Sequence, residues 1–313
     1  MPKVKETYYN VKTLVDLIRL NDISFKFTSD FKLLLIINGQ QTATATFPCP
    51  YCFISLNSLR NGENSADTAT LKTYGDLRHD YEKYCNFGKN QKMSKQCQST
   101  INLPLFNEDD NTLVLEKCII PELHILQGFV NHLFWRGIVP LVGLEKALLW
   151  PIKLNLIAKN YFGDCFEGNA CRELLKKSDQ LLDPEIYKDV GYFALVPYVS
   201  AFKTMNKIVH NYFSVQIIDT EINLEALLKE LDYNLKSTGV SETLKLHILL
   251  KHLPECLKYI NNNGLGLWSE QAGESIHREF LKTWEGFKIN FLDNKIYAEN
   301  LKRAVIQFSS LNL

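Results

Sequence analysis

From Ile23 to Cys52 the chain reads ISFKFTSDFKLLLIINGQQTATATFPCPYC, and this stretch limits the fold most tightly. Ile23, Phe25 and Phe27 alternate with Ser24 and Lys26, which predicts a strand over Ile23–Thr28 ending at Ser29-Asp30. Phe31 to Asn38 follows as a solid apolar run stopped by Asn38-Gly39, and Ala43–Phe47 is β-prone and delivers Cys49-Pro50-Tyr51-Cys52. Val4–Leu20 carries apolar residues at near-helical spacing, so the order is helix, strand, helix, strand, as in part of a parallel sheet. Such sheets present chemistry at the carboxyl ends of strands, where Asp30 falls, and a C-x-x-C after the next strand can seat a metal beside it.

Beyond this stretch the pattern changes. Asn57–Lys72 is polar without a hydrophobic period and predicts a loop, whereas the periodic segments between Thr73 and Gly239 are helical. They are Tyr74–Tyr84, Pro121–Trp135, Val139–Tyr161, Asn169–Leu182, Val190–Phe213 and Asn223–Lys236, with Phe87–Asp110 as an exposed polar linker. Pro121, Pro151 and Pro184 stand where helices are expected to begin. A last block has a helix from Ser241 to the stop at Asn261-Asn262-Asn263-Gly264, another over Trp268–Trp284 and a third over Tyr297–Phe308. The expected fold class is mostly α with a partial α/β sheet. Its domains are residues 1–56, a helical insertion at 57–240 and a closing block at 241–313.

Composition narrows the function. With 313 residues and 46% apolar content the chain can bury a full core, and 35 basic residues balance 35 acidic ones. Any nucleic-acid site must then be a local patch, not a global field. No signal-peptide pattern opens the sequence and no apolar run is long enough to span a bilayer, so a soluble intracellular protein is expected. Eight cysteines scattered along the chain read as free thiols plus one metal pair.

His247 and His252 lie five residues apart, further round a helix than the ideal four, and converge on one ion if the helix ends or bends, as Pro254 could make it do. With Cys49 and Cys52 they make a closed Cys2His2 shell, the signature of structural zinc; the alternative is ordinary thiols and solvated imidazoles. Glu270 and Glu274 share a helix face, and one of them could join Asp30 on a divalent cation or both could simply favour a helix dipole.

Taken in order, Asp30, Cys49-x-x-Cys52, His247-x4-His252 and Gly-Leu-Trp268-Ser-Glu-Gln-Ala-Gly-Glu274-Ser resemble the catalytic core of DDE transposases, specifically the Transib and V(D)J recombinase branch and the related CACTA, Mirage and Chapaev group. In that family the zinc C-x-x-C begins nineteen positions after the second catalytic aspartate, as Cys49 does after Asp30. Pro121-Glu-Leu-His124-Ile-Leu-Gln-Gly128 and Gly168-Asn169-Ala-Cys-Arg172-Glu-Leu-Leu175 are softer matches, and the likeness runs from about Val11 to Phe287.

The resemblance implies an RNase H-like core interrupted by a large helical insertion after the fifth strand. It also implies Asp30 and Glu274 as catalytic acids holding Mg2+ or Mn2+, and zinc on Cys49, Cys52, His247 and His252. Transposon-end DNA is the implied partner, with a possible homodimer and a nuclear location. In that setting two Mg2+ ions would drive in-line attack on a phosphodiester. Trp268 could stack on a base or belong to the core, and Arg172, Lys176, Lys177, Arg278 and Lys282 could face phosphates.

The family's first aspartate precedes the segment that resembles Val4–Leu20, and neither Asp16 nor Asp22 replaces it. Little or no strand transfer is therefore expected, together with a bare apolar edge on the Ile23 strand. The rival reading is a zinc-stapled helical scaffold that binds protein without chemistry. A zinc hydrolase ranks third, because four protein ligands leave no open position for water.

Overall fold

The computed structural model describes residues 6–62, 70–159, 165–261 and 263–269, and within 270–313 residues 279–280, 282–283, 285–287, 299–300 and 302–307. The chain divides into two compact units, Met1–Trp268 and Ser269–Leu313. The first holds α1 (Tyr8–Leu17), α2 (Phe31–Ile37), α3 (Leu56–Arg60), α4 (Tyr74–Asn86), α5 (Val114–Lys117), α6 (Glu122–Leu133), α7 (Val139–Val142), α8 (Leu144–Lys153), α9 (Gly168–Lys176), α10 (Pro184–Tyr187), α11 (Tyr192–Tyr212), α12 (Leu224–Thr238) and α13 (Leu244–Tyr259). The mostly helical expectation therefore holds, and six periodic segments between Thr73 and Gly239 carry helices. In the second unit, helical residues 279–280 and 282–283 fall inside the expected Trp268–Trp284 helix, Glu285 is helical just past its end, and helical residues 299–300 and 302–307 fall inside the expected Tyr297–Phe308 helix.

The long helix α11 packs against α12 on one side and against α9 and the 3-10 turn Ser178–Leu182 on the other. Its buried face carries Leu195, Phe202, Met205 and Ile208, with the Phe202 ring edge-on to Phe129 of α6 and Trp150 of α8. Helix α6 also contacts α9, and α13 lies against α6 and α5. This apolar core extends without a break to α2 and the Cys49–Cys52 loop.

The expected sheet takes a reduced form. Among the described residues β pairing is confined to isolated bridges. Phe27 does pair in parallel, but with Cys118: its N–H donates to Lys117 O at 2.9 Å and its carbonyl accepts from Ile119 N at 2.7 Å. Ala43–Phe47 forms turns and bends, which corrects the second strand expected there. Alternating threonines gave that run its β propensity, but its Thr42, Thr44 and Thr46 have no neighbouring strand to pack against. The parallel partner comes some ninety residues later, just after α5.

Other corrections follow from packing. Pro151 sits inside α8 and Pro121 is the N-cap of α6, while Pro184 does open α10. The Val139–Tyr161 helix is broken at Gly143, whose φ of 84° no helix permits. Phe87–Asp110 is no exposed linker: it contains a 3-10 helix, Gln91–Cys97, and buries Cys97, Thr100, Leu105 and Phe106. Phe106 in turn packs edge-on against Phe25 and Phe27 at 5.0 and 5.3 Å.

One turn locks this part together. Helix α2 ends in a Schellman arrangement, with Gln40 N donating to Leu35 O and Gly39 N to Ile36 O. Gly39 takes the left-handed φ of 70°, and a Cβ there would lie 2.1 Å from the Asn102 carbonyl oxygen. Gly39→Ala should therefore lower stability by about 2–4 kcal/mol, from left-handed strain plus overpacking against backbone. Urea denaturation checks this, and a change of about 0.5 kcal/mol or less would contradict the packing described.

Candidate metal centre

Cys49 and Cys52 come from the loop that follows α2, and His247 and His252 from α13. Helix α13 starts where Thr243 accepts a hydrogen bond from Leu246 N, so its first turn is capped. It does not end at the imidazoles: it runs through Pro254 to Tyr259. Five positions place the two Cα atoms roughly 140° apart around the axis, and the ring length closes the gap, with centroids 4.9 Å apart and planes at 85°.

All four side chains are buried, and their ligand atoms lie within 4.8 Å of one another. Cys49 Sγ stands 3.5 Å from His252 Nε2, Cys52 Sγ 3.2 Å from His247 Nε2, and the two Nε2 atoms are 3.1 Å apart. A tetrahedral zinc with ordinary bond lengths would have N···N edges of about 3.3 Å and N···S edges of about 3.6 Å. The donor set, its closure and its dimensions fit structural zinc. The same four donors in a dry core would otherwise be a knot of thiol and imidazole hydrogen bonds.

The electrostatics fit as well. Burial pushes the Cys49 thiol up, and its hydrogen bond to Cys52 holds that sulfur well below the ordinary thiol range, with His247 and His252 assisting. Burial lowers His252, which keeps its ring neutral, the form that ligates metal. Metal ligation by thiols releases their protons, and the opposed directions at the two sulfurs suit that exchange.

The surroundings hold the thiol loop in place. Tyr51 N donates to Cys49 Sγ at 3.4 Å and the Tyr51 ring meets His252 edge-on at 5.7 Å. Lys72 is fully buried; its Nζ donates to the Cys49 carbonyl at 2.8 Å and its backbone N to Tyr51 O at 2.8 Å, while Leu71 bridges Cys52. Burial lowers the Lys72 ammonium against the opposing pull of Cys49 and Cys52. Sequence reasoning left Lys72 at the end of a loop. Its only available signal was a lysine within a β-prone Leu-Lys-Thr, which is no distinction among 35 basic residues.

The other expected site residues are placed less fully. Asp30 is half-buried at the N-cap of α2, where Oδ1 accepts from Leu33 N at 2.8 Å. Glu270 and Glu274 lie outside the described residues, as does Arg278. Trp268 sits in a 3-10 turn, half-buried against the core, with Nε1 buried and without a hydrogen-bond partner. Gly264 presses that turn onto Ser214, whose carbonyl oxygen would lie 1.9 Å from an added Cβ. Arg172 is not a free phosphate-facing cation: it pairs at 3.2 Å with the buried Glu122, and Lys176 pairs with Glu173. No helix among the described residues is long and apolar enough to cross a membrane. Neither protein-family models nor curated proteins yield a match to this chain.

Purified protein should carry one zinc per chain by metal analysis, and Cys49→Ala or His252→Ala should abolish it. Lys72→Met should keep the fold yet weaken zinc binding roughly 10–100-fold in chelator competition, the usual cost of removing a group that hydrogen-bonds a metal ligand. Metal-free protein, or unchanged affinity in Lys72→Met, would overturn these two assignments respectively.

Proposed function

We propose that this chain carries residues of a zinc-containing DDE transposase core, descended from enzymes that bind and cut transposon ends. Asp30 and Glu274 are then the ancestral Mg2+ or Mn2+ ligands, and the nucleus is the site of action. The observation that supports this reading is the pairing of Cys49-x-x-Cys52 with His247-x4-His252. Two short motifs almost 200 residues apart close on one point, in the family's order and at its spacing. The two softer motifs of the insertion also meet, through Arg172 and Glu122. In this reading zinc ties the loop after Asp30 to helix α13.

A second reading keeps the zinc and drops the chemistry: a helical scaffold that binds protein. Zero net charge favours it, as does the engagement of Arg172 and Lys176 with acids of their own.

Electrophoretic mobility shift with duplex DNA separates the two. The transposase reading expects a complex at low salt that weakens steeply as salt rises, because bound phosphates release counterions. No shift at the lowest salt would sink it and leave the scaffold. With two of the family's three acids matched, strand transfer in Mg2+ or Mn2+ should not rise above that of Asp30→Ala. That variant should also lose about 1 kcal/mol of stability with its helix cap, so melting is measured alongside.

A further inference from the structure

The basic residues expected to face phosphates are partly engaged, and the structure holds a different cationic row. From Lys83 to Asn107 the sequence contains four lysines, Lys83, Lys89, Lys92 and Lys95, and no aspartate or glutamate. All four are exposed. Several exposed lysines elsewhere sit beside acids one helical turn away, among them Lys12 with Asp16, Lys236 with Asp232 and Lys258 with Glu255. Among the described ion pairs none involves these four.

Their alignment has a backbone cause. Lys92 and Lys95 lie three apart in the 3-10 helix Gln91–Cys97, and with three residues per turn such positions stack along one edge at a rise of roughly 6 Å. The opposite edge is Ser94 and Cys97, also three apart and both buried, which anchors the helix and turns the lysines outward. Lys89 leads into the row. Tyr84 fixes it, its carbonyl accepting from Lys89 N at 3.1 Å and its hydroxyl donating to Lys89 O at 2.8 Å. Asn90 then caps the 3-10 helix through Lys92 N. Stacked like charges with no intervening acid cost stability in isolation, and a polyanion of regular charge spacing relieves that cost. Beside them stand the neutral polar groups of Asn90, Gln91 and Gln96, which can donate to phosphate oxygens.

The geometry points to Lys89, Lys92 and Lys95, flanked by Lys83, as a surface that binds the phosphate backbone of nucleic acid. The class of polyanion rests on the proposed DNA reading; the location rests on the helix itself. Binding here is sequence-independent and salt-sensitive, so it positions DNA without reading bases.

The test uses the full chain with its zinc, a labelled mixed-sequence duplex of about thirty base pairs, and fluorescence anisotropy across a salt series. The triple variant Lys89→Ala/Lys92→Ala/Lys95→Ala should bind roughly tenfold more weakly or worse at low salt. Its log K against log salt slope should fall by roughly 2–3, about 0.9 for each phosphate that is no longer neutralised. Lys203→Ala/Lys236→Ala, which removes two exposed lysines that pair with Asp179 and Asp232, is the control and should leave both quantities unchanged, and melting and zinc content confirm that each variant is folded. If the wild type binds and the triple variant matches it in affinity and slope, the surface lies elsewhere while the DNA reading stands. If the wild type binds no duplex, both fall. If polyglutamate binds through these lysines and duplex does not, the row serves an acidic protein and the nucleic-acid assignment is wrong.

Discussion

In the unit Met1–Trp268, two sulfurs meet two ring nitrogens whose owners stand almost 200 residues apart, Cys52 with His247 and Cys49 with His252, and this contact ties the start of the unit to its last long helix. Closing so long a loop costs chain entropy that grows only slowly with its length, and a structural zinc site returns on the order of 10–16 kcal/mol to folding. A clamp of that strength can hold together a chain with a long stretch of helices between its ligands. The helices between α5 and α13 pack around α11 and share one continuous apolar core with α2 and the thiol loop, to which α13 returns.

The clamp is wired to Asp30 through the main chain. Cys52 bridges Leu71, Tyr51 O accepts from Lys72 N, Lys72 O accepts from Val114 N, and Thr73 bridges Leu113. Helix α5 then begins, and three residues after its start Lys117 and Ile119 flank the parallel bridge to Phe27. Each link is a backbone hydrogen bond in a buried setting, so displacement of the thiol loop would be felt at the strand that precedes Asp30. Lys72 stands at the junction, which explains why a fully buried lysine is tolerated: its backbone serves both neighbours and its ammonium caps the Cys49 carbonyl. The ring contacts of Phe25 and Phe27 with Phe106 brace the same bridge from below.

How much of this could be seen in the letters alone depended on the range of the interaction. Local patterns were legible: the 3.6-residue period of Tyr74–Tyr84 or Val190–Phe213 survives because each helix satisfies its own backbone and needs only one apolar face. The metal set was legible too, since C-x-x-C and H-x4-H are written in residue type and order, and the resemblance supplied the pairing. What failed was non-local. Ala43–Phe47 has β-prone letters and no neighbour, while Lys117–Ile119 has a neighbour and only a short apolar run to announce it. Phe87–Asp110 read as polar because its exposed Lys, Asn and Gln outnumber Cys97, Thr100, Leu105 and Phe106, which carry the burial. Arg172 looked like a free cation until α9 packed on α6 and set it beside Glu122.

Asp30 shows why a capping aspartate and an ancestral metal ligand are difficult to distinguish, and why the two roles are compatible. An aspartate between an extended segment and a helix accepts from the third helical N–H, and one oxygen suffices: Oδ1 takes Leu33 N. That bond fixes the side-chain torsion and leaves the second carboxylate oxygen without a capping duty. A preoriented carboxylate oxygen is the kind of ligand that a divalent cation takes. Under the proposed transposase reading, the structural role would serve the chemical one. A lineage that lost its chemistry would still keep the acid for the helix it starts, because the cap is worth about 1 kcal/mol by itself.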